Sequence, residues 1–427
     1  MLPFSYKNNV LYAESIALTK IAEQFGTPTY VYSKAAVVEN YLAYANACKA
    51  HVLEADGTLI CFSVKSNSNL AILQLLNQCG SGFDIVSGGE LLRVLAAGGT
   101  ADKIIFSGVG KTRDEMRLAL SHDILCFNVE SIPELHRLNA VAADMGKQAR
   151  VSLRVNPNVD AKTHPYISTG LKESKFGVAF NDALATYRIA AALPHIDVTG
   201  IDCHIGSQLL DDAPLLEAVD KLIELIDALA GEGIDIHHLD IGGGIGISYD
   251  GDEPVAVVSY LQKLFAKIQV WRAEKYGGKP IKVMFEPGRS IVGNAGLLLT
   301  EVQYLKEGEV KNFAVVDAAM NDLMRPAMYQ AWHGVQPVLQ RTTETLTYDV
   351  VGPVCESGDW LARSRELSIQ PGDLLAIMSA GAYGMTMASN YNTRGRAAEV
   401  LVDGASMHLA RRREAPQDLF ALESLVE

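Results

Sequence analysis

Leu59-Ile-Cys-Phe-Ser-Val-Lys-Ser-Asn67 opens as an unbroken apolar run and ends on a lysine. Leu59 to Val64 does not alternate with charged residues, which is the pattern of a strand buried on both faces. Seven more runs of this kind follow: Phe83 to Val86, Lys103 to Phe106, Ile124 to Val129, Val151 to Val155, Val198 to Ile205, His238 to Ile241 and Ile281 to Phe285. Amphipathic segments lie between them, among them Glu90 to Ala97, Arg113 to Leu120, Ile132 to Asp144 and Ala213 to Ala230. Strand and helix alternating through eight strands predict an α/β fold, a (β/α)8 barrel. Beyond residue 290 the texture changes. Phe313 to Val316, Thr345 to Val351, Leu374 to Met378 and Glu399 to Val402 are separated by Gly, Pro, Asn and Asp turns, which predicts a β-rich second domain. Pro28 to Ser33 reads as a strand added to it. The expected boundaries are 35–288 for the barrel, and 1–34 with 289–427 for the β-rich domain.

A barrel carries its active site on the rim where its strands end. The polar and glycine residues of this chain gather there: Lys65, Ser87-Gly-Gly89, Ser107-Gly108, Asn156, His204-Ile-Gly-Ser207, Gly242-Gly-Gly244 and Glu286-Pro-Gly-Arg289. Lys65 would project into the rim pocket, where a desolvated amine is a nucleophile toward a carbonyl. A lysine snorkelling from a strand end reads equally well. Gly242-Gly-Gly-Ile-Gly246 follows the seventh run, the usual place for a phosphate in a barrel, and its bare backbone offers N–H groups. A tight turn is the plainer alternative. Ser107-Gly-Val-Gly-Lys-Thr112 is not a P-loop, because Ile105 stands where the first glycine belongs.

In Glu286-Pro-Gly-Arg289 an acid and a base share one turn. The carboxylate would hold a proton on a ring nitrogen, and the guanidinium would grip a carboxylate or phosphate. A surface salt bridge is the alternative, and the apolar run before Glu286 argues against it. His204, in Asp202-Cys-His-Ile-Gly-Ser207, offers a flat imidazole able to stack on an aromatic cofactor, although a lone histidine is more often a core residue. His237-His238 lies at the opposite end of its strand and receives no role. Gly352-Pro-Val-Cys-Glu-Ser-Gly-Asp359 carries a thiol and two acids in a turn, and a thiol there can donate a proton. Arg325 and Tyr329 stand at i, i+4 spacing, and Tyr383 lies between glycines in Ser379-Ala-Gly-Ala-Tyr-Gly384.

The 427 residues allow two domains with sizeable cores, at 48% hydrophobic and 20% charged. A net charge of −13 speaks against a nucleic-acid or anionic-membrane partner, since both need a basic face. The first residues lack the layout of a signal peptide, and no apolar run approaches the ~18 residues of a membrane span. The cysteines at 48, 61, 79, 126, 203 and 355 form no CxxC pair, so reduced thiols and a cytoplasmic setting are expected. Most of them read as core filler, and Cys355 does not.

Together, His204-Ile-Gly-Ser-Gln208, Glu286-Pro-Gly-Arg-Ser290, Cys355-Glu-Ser-Gly-Asp359 and Gly381-Ala-Tyr-Gly384 resemble the fold-type III pyridoxal-phosphate decarboxylases, and within them the diaminopimelate decarboxylase family. The likeness runs from about Tyr30 to Gly404. It implies an alanine-racemase-like barrel with a β-domain, pyridoxal 5'-phosphate as cofactor, and a homodimer whose sites are shared between subunits. Lys65 would carry the cofactor covalently, His204 would stack on its ring, and Gly244 and its neighbours would bind the phosphate, with Ser207 assisting. Glu286 would meet the ring nitrogen, with Pro287 and Gly288 beside it. Arg289, Arg325 and Tyr329 would hold a distal carboxylate, Glu356 the distal ammonium, and Tyr383 would reach both cofactor and substrate. Cys355 and Glu356 would come from the partner subunit, with Cys355 returning a proton to the substrate. Asp84 and Arg154 fall near the cofactor. The chain departs from the family's usual Ala-x-Lys-Ala-Asn at Ser63-Val-Lys-Ser-Asn67, a change that leaves the lysine's role intact.

The implied reaction converts meso-2,6-diaminopimelate to L-lysine and CO2, the last step of lysine biosynthesis. The rivals are a related decarboxylase of ornithine, D-lysine or carboxynorspermidine, a non-catalytic pyridoxal-phosphate barrel, and a metal-dependent barrel hydrolase. Ornithine has no distal carboxylate for the two arginines. A non-catalytic barrel has no need of a second domain. The absence of any His/Asp ligand cluster tells against a metal.

Overall fold

The structure, a computed structural model, describes residues 3–51, 57–160, 169–170 and 174–426. Its residues fall into two compact units: Tyr41–Ile247 with Glu253–Gly288, and Met1–Asn40 with Ser248–Asp252 and Arg289–Glu427.

The first unit is a closed barrel of eight parallel strands: β1 (Thr58–Ser63), β2 (Gly82–Ile85), β3 (Ile104–Phe106), β4 (Cys126–Val129), β5 (Ala149–Asn156), β6 (Ile196–Asp202), β7 (His238–Asp240) and β8 (Lys282–Phe285). Neighbours in sequence pair in space, and β8 returns to β1 with Phe285 opposite Ile60. All eight strands lie within the apolar runs of the sequence or overlap them. Nearly every strand residue is buried, because helices cover the outer face and side chains fill the interior. Leu59, Cys61, Ile105, Cys126 and Met284 make an apolar floor inside the ring.

The helices begin where the sequence supplies caps. Ser87 accepts from the Glu90 N–H ahead of helix Gly88–Ala96, Thr112 and Glu115 form a reciprocal capping box, and Ser131 caps Ile132–Asp144. In Ala213–Gly231, Leu215, Ala218, Val219, Leu222, Ile226 and Leu229 are buried at helical spacing. Cys48, Cys61, Cys126 and Cys203 are buried as core residues, Cys79 is half-buried and Cys355 is exposed.

The second unit is β-rich. Its backbone is the strand Gly296–Lys306, which pairs antiparallel with Thr29–Ser33, Asn312–Val316 and Leu374–Ile377. Thr29–Ser33 lies between that strand and the parallel strand Ala398–Asp403. Leu297, Leu299, Val31, Val400, Val402 and Ala376 meet in the core, together with Leu18 and Ile21 of helix Leu18–Phe25. Among the described residues no helix is long and apolar enough to cross a membrane.

Candidate active site

Above its apolar floor the barrel interior turns polar. Ser63 is level with Asp84, and Asp202 stands between Arg154 and Asp240 in the strand register. Lys65 sits on the turn Val64–Ser66 that ends β1, and its Nζ lies 2.9 Å from Oδ2 of Asp84. Asp84 is fully buried, whereas the lysine side chain remains 33% exposed, so the amine is anchored yet reachable. The Ser63 hydroxyl donates to the same Asp84 oxygen at 2.7 Å. The departure from the family's usual alanine is therefore not inert: it gives the carboxylate a second donor.

Three acids meet across the ring. Asp202, Asp240 and Glu286 are buried, with carboxylate oxygens within 4.8 Å of one another. This corrects the expectation of no His/Asp ligand cluster: the three come from the ends of β6, β7 and β8, so no motif spacing announces them. Asn128 and Ser107 donate to Oε1 of Glu286 at 3.2 and 3.3 Å. Asp84 Oδ1, Asp202 Oδ1 and Asp240 Oδ2 have no hydrogen-bond partner among the described residues. Burial first, and then mutual repulsion, pushes the carboxyls of Glu286 and Asp240 well above the ordinary range. Burial also raises Asp202, against the pull of Arg154. The cluster therefore holds protons at neutral pH.

His204 follows β6. Its Nδ1 accepts from the Gly243 N–H at 3.2 Å, which leaves the ring proton on Nε2. Part of the residue faces solvent, yet desolvation, with the Arg154 and Lys65 charges, holds the imidazole well below its usual value and neutral. Arg154 is buried against Glu130 at 3.2 Å. The glycine run passes between loops with no room for side chains. A Cβ on Gly243 would lie 2.2 Å from the Glu286 carbonyl oxygen, and one on Gly244 2.7 Å from that of Gly206. Ser207 is half-buried in the same loop. Pro287 accepts from the Ser63 N–H at 3.0 Å, and a Cβ on Gly288 would meet the Ser66 hydroxyl at 2.8 Å, so this turn locks against the lysine turn.

Within the β-rich unit a second group forms. Arg289 and Arg325 are both buried. Tyr249 accepts from Nη1 of Arg289 at 2.6 Å, and its ring lies 4.6 Å from the Arg325 guanidinium. The ring of Tyr383, held at φ +55°, lies 4.9 Å from Arg289. Arg325 and Tyr329 bound the short helix Arg325–Tyr329. Cys355 is exposed, its N–H bonded to Asn392, and Glu356 is exposed next to it. The other acid of that segment, Asp359, is structural: it accepts from the N–H groups of Met320 and Val354 at 2.7 Å each.

Asp202, Asp240, Glu90, Tyr249 and His333 are the members that sequence reasoning missed. Glu90 reads as an ordinary helix-capping acid, but burial pushes its carboxyl up to about 7 while its Oε2 accepts from the Val86 N–H.

A reachable lysine at the end of β1, a glycine-lined turn after β7 and a proton-holding acid after β8 mark a class of protein: barrels that carry pyridoxal phosphate. The residues fit that group, with a neutral flat ring for its ring, bare backbone for its phosphate and a protonated acid for its nitrogen. The family model described as "Pyridoxal-dependent decarboxylase, pyridoxal binding domain" matches residues 38–293. The chain is 57% identical over 423 residues to the diaminopimelate decarboxylase of Pseudomonas aeruginosa, covering 99% of each. The structure of the M. jannaschii diaminopimelate decarboxylase with L-lysine superposes with a TM-score of 0.94 at 38% identity, over 100% of this chain and 99% of that one. The Helicobacter pylori enzyme with L-lysine gives 0.88 at 42%, over 95% and 99%. The chain belongs to the diaminopimelate decarboxylase family of pyridoxal-dependent decarboxylases.

Proposed function

We propose that this chain removes CO2 from meso-2,6-diaminopimelate and releases L-lysine, the last step of lysine biosynthesis. The observation that carries the substrate is Arg325: its guanidinium is buried, and no carboxylate among the described residues pairs with it. A buried cation of that kind calls for an anionic ligand group. The distal carboxylate of diaminopimelate supplies one, and lysine and ornithine do not.

Bound pyridoxal phosphate supplies an aldehyde that takes up amines and a ring that accepts the electron pair of a breaking Cα bond. The chain's own residues do the rest. Lys65 provides the amine that holds the cofactor until substrate arrives. Glu286 keeps a proton for the ring nitrogen, and His204 presents a neutral face. The bare backbone of Gly244 and its neighbours would face the phosphate. Arg289, Arg325 and Tyr329 orient the distal carboxylate, Glu356 takes the distal ammonium, and Tyr383 reaches both ligands. When the Cα–carboxylate bond breaks, the Cys355 thiol gives its proton to Cα.

The exposure of Cys355 and Glu356 in a single chain supports a homodimer in which these residues complete the partner's site. The barrel, 35–288, then carries the cofactor, and 1–34 with 289–427 the β-rich domain. The enzyme acts in the cytoplasm. The test of the reaction is CO2 release from meso-diaminopimelate, L-lysine, D-lysine and L-ornithine by the purified holoenzyme. A wild-type preference for any of the last three would sink the substrate. For the shared site, inactive Cys355→Ala and Lys65→Ala chains are mixed and allowed to exchange. Activity returns if one mixed site has both residues, and its absence despite exchange places Cys355 in its own subunit's site.

A further inference from the structure

The imidazole of His333 is fully buried, on the segment that follows helix Arg325–Tyr329. Its Nε2 lies 2.7 Å from Nη1 of Arg325 and its Nδ1 lies 2.8 Å from the carbonyl oxygen of Met378. A guanidinium has only donors and a carbonyl only accepts. Nε2 must therefore accept from Arg325, and the ring proton must sit on Nδ1, facing Met378. Both ring nitrogens are committed and the tautomer is fixed. The backbone of His333 is tied as well, since Nη2 of Arg365 donates to its carbonyl oxygen at 3.1 Å.

Tyr249 completes the arrangement. Besides accepting from Arg289, its ring lies edge-on to His333, with centroids 5.4 Å apart and planes at 80°. The same ring lies 4.6 Å from the Arg325 guanidinium and 5.8 Å from that of Arg289. One tyrosine thus touches both arginines and the histidine. An aromatic face beside two like charges offsets part of their repulsion. An unanchored arginine loses rotamer freedom when it is ordered. Fixing it before a ligand arrives removes that cost from binding.

We infer that His333 and Tyr249 are positioning residues that hold Arg325 and Arg289 in the orientation that grips the distal carboxylate of the substrate. The inference rests on meso-diaminopimelate being that substrate. Protonation does not release the clamp at working pH: burial and the facing charges of Arg325, Arg289 and Arg365 hold the His333 imidazole down to about 3. A core histidine with a purely structural task would look similar in place, but it would behave differently in kinetics.

The test uses holoenzyme and steady-state CO2 release from meso-diaminopimelate and from L-lysine, for wild type, His333→Phe, His333→Gln and Tyr249→Phe. A lost hydrogen bond to a charged group predicts a rise in KM for diaminopimelate of roughly ten- to a hundredfold in His333→Phe. Because the distal carboxylate is remote from the breaking bond, kcat and cofactor absorbance should change little. His333→Gln, whose Oε1 can accept from Arg325, should recover much of the loss. Tyr249→Phe keeps the ring and loses the acceptor for Arg289, so its KM should rise by a smaller factor. An unmoved KM with a reduced kcat or folded yield in His333→Phe overturns the inference, as does a glutamine variant no better than phenylalanine. Should His333→Phe not fold, Tyr249→Phe decides, and an unmoved KM there overturns it. A wild type that prefers lysine or ornithine overturns the substrate reading and this inference with it. A wild type that prefers diaminopimelate beside unmoved variants overturns the inference alone.

Discussion

The two units bury charge of opposite sign in different ways. The barrel interior gathers Asp84, Asp202, Asp240 and Glu286 around Lys65 and Arg154. The β-rich unit gathers Arg289 and Arg325 among Tyr249, Tyr383 and a neutral His333. Asp202, Asp240 and Glu286 escape the cost of burial by taking up protons, and Asp84 is paired with Lys65. Guanidiniums do not have that escape. The barrel is therefore a place that stores protons, whereas the charge on Arg325 has no carboxylate paired with it among the described residues. Barrel substitutions should act on the cofactor and the chemistry, and arginine-pair substitutions on the choice of substrate.

Lys65→Ala should break the barrel half most completely. Covalent cofactor and nearly all turnover should be lost, read as disappearance of borohydride-sensitive absorbance near ~420 nm. A retained chromophore would place the attachment elsewhere. Glu286→Gln should lower kcat by about 10²–10⁴-fold, the range for a misplaced proton donor, while leaving the preference for diaminopimelate over lysine intact. A changed preference would mean that the two regions are not separable.

Arg325→Ala should do the reverse. Breaking a buried charge interaction costs about 2–5 kcal/mol, or roughly 30- to several-thousand-fold in kcat/KM for diaminopimelate. The gap to lysine should narrow and the chromophore should survive. Equal losses for both substrates would remove the assignment of Arg325 to the distal carboxylate.

The smallest effect concerns Glu90. Its carboxyl rises from 4.5 to about 7 in the folded protein, so the native state binds more protons than the unfolded chain between those values. Stability is then lost as pH rises from about 4.5 to about 7. Glu90→Gln has no carboxyl to deprotonate, so the Tm of its holoenzyme should depend less on pH than that of wild type between about pH 5 and about pH 8. Parallel Tm profiles would remove Glu90 from the barrel's store of protons.

The barrel was legible because strands buried on both faces leave unbroken apolar runs, and the strand ends carry Lys65, His204 and Glu286 in their own local motifs. The strand Gly296–Lys306 was not, because Gly296-Leu-Leu-Leu299 has no period of its own and only its partners on either side decide its state. Trp360–Leu367 was hidden by Ser364, which sits at φ +54° and breaks the alternation. Asp202 and Asp240 were hidden because each alone is an ordinary strand-end acid. His333 was hidden because its partners, Arg325 and the Met378 carbonyl, come from segments that only the folded chain brings together.

Thr29–Ser33 waits for a neighbour that is made hundreds of residues later. It pairs on one side with Gly296–Lys306 and on the other with Ala398–Asp403, so neither edge is covered while the barrel sequence is being synthesised. At roughly 5–20 residues per second, that exposure lasts on the order of tens of seconds on the ribosome. Tyr30, Val31 and Tyr32, all buried in the finished sheet, then stand in a strand with two open edges, the surface on which nascent chains pair with one another. Shielding of that one short strand during translation is therefore a requirement separate from the stability of the completed protein.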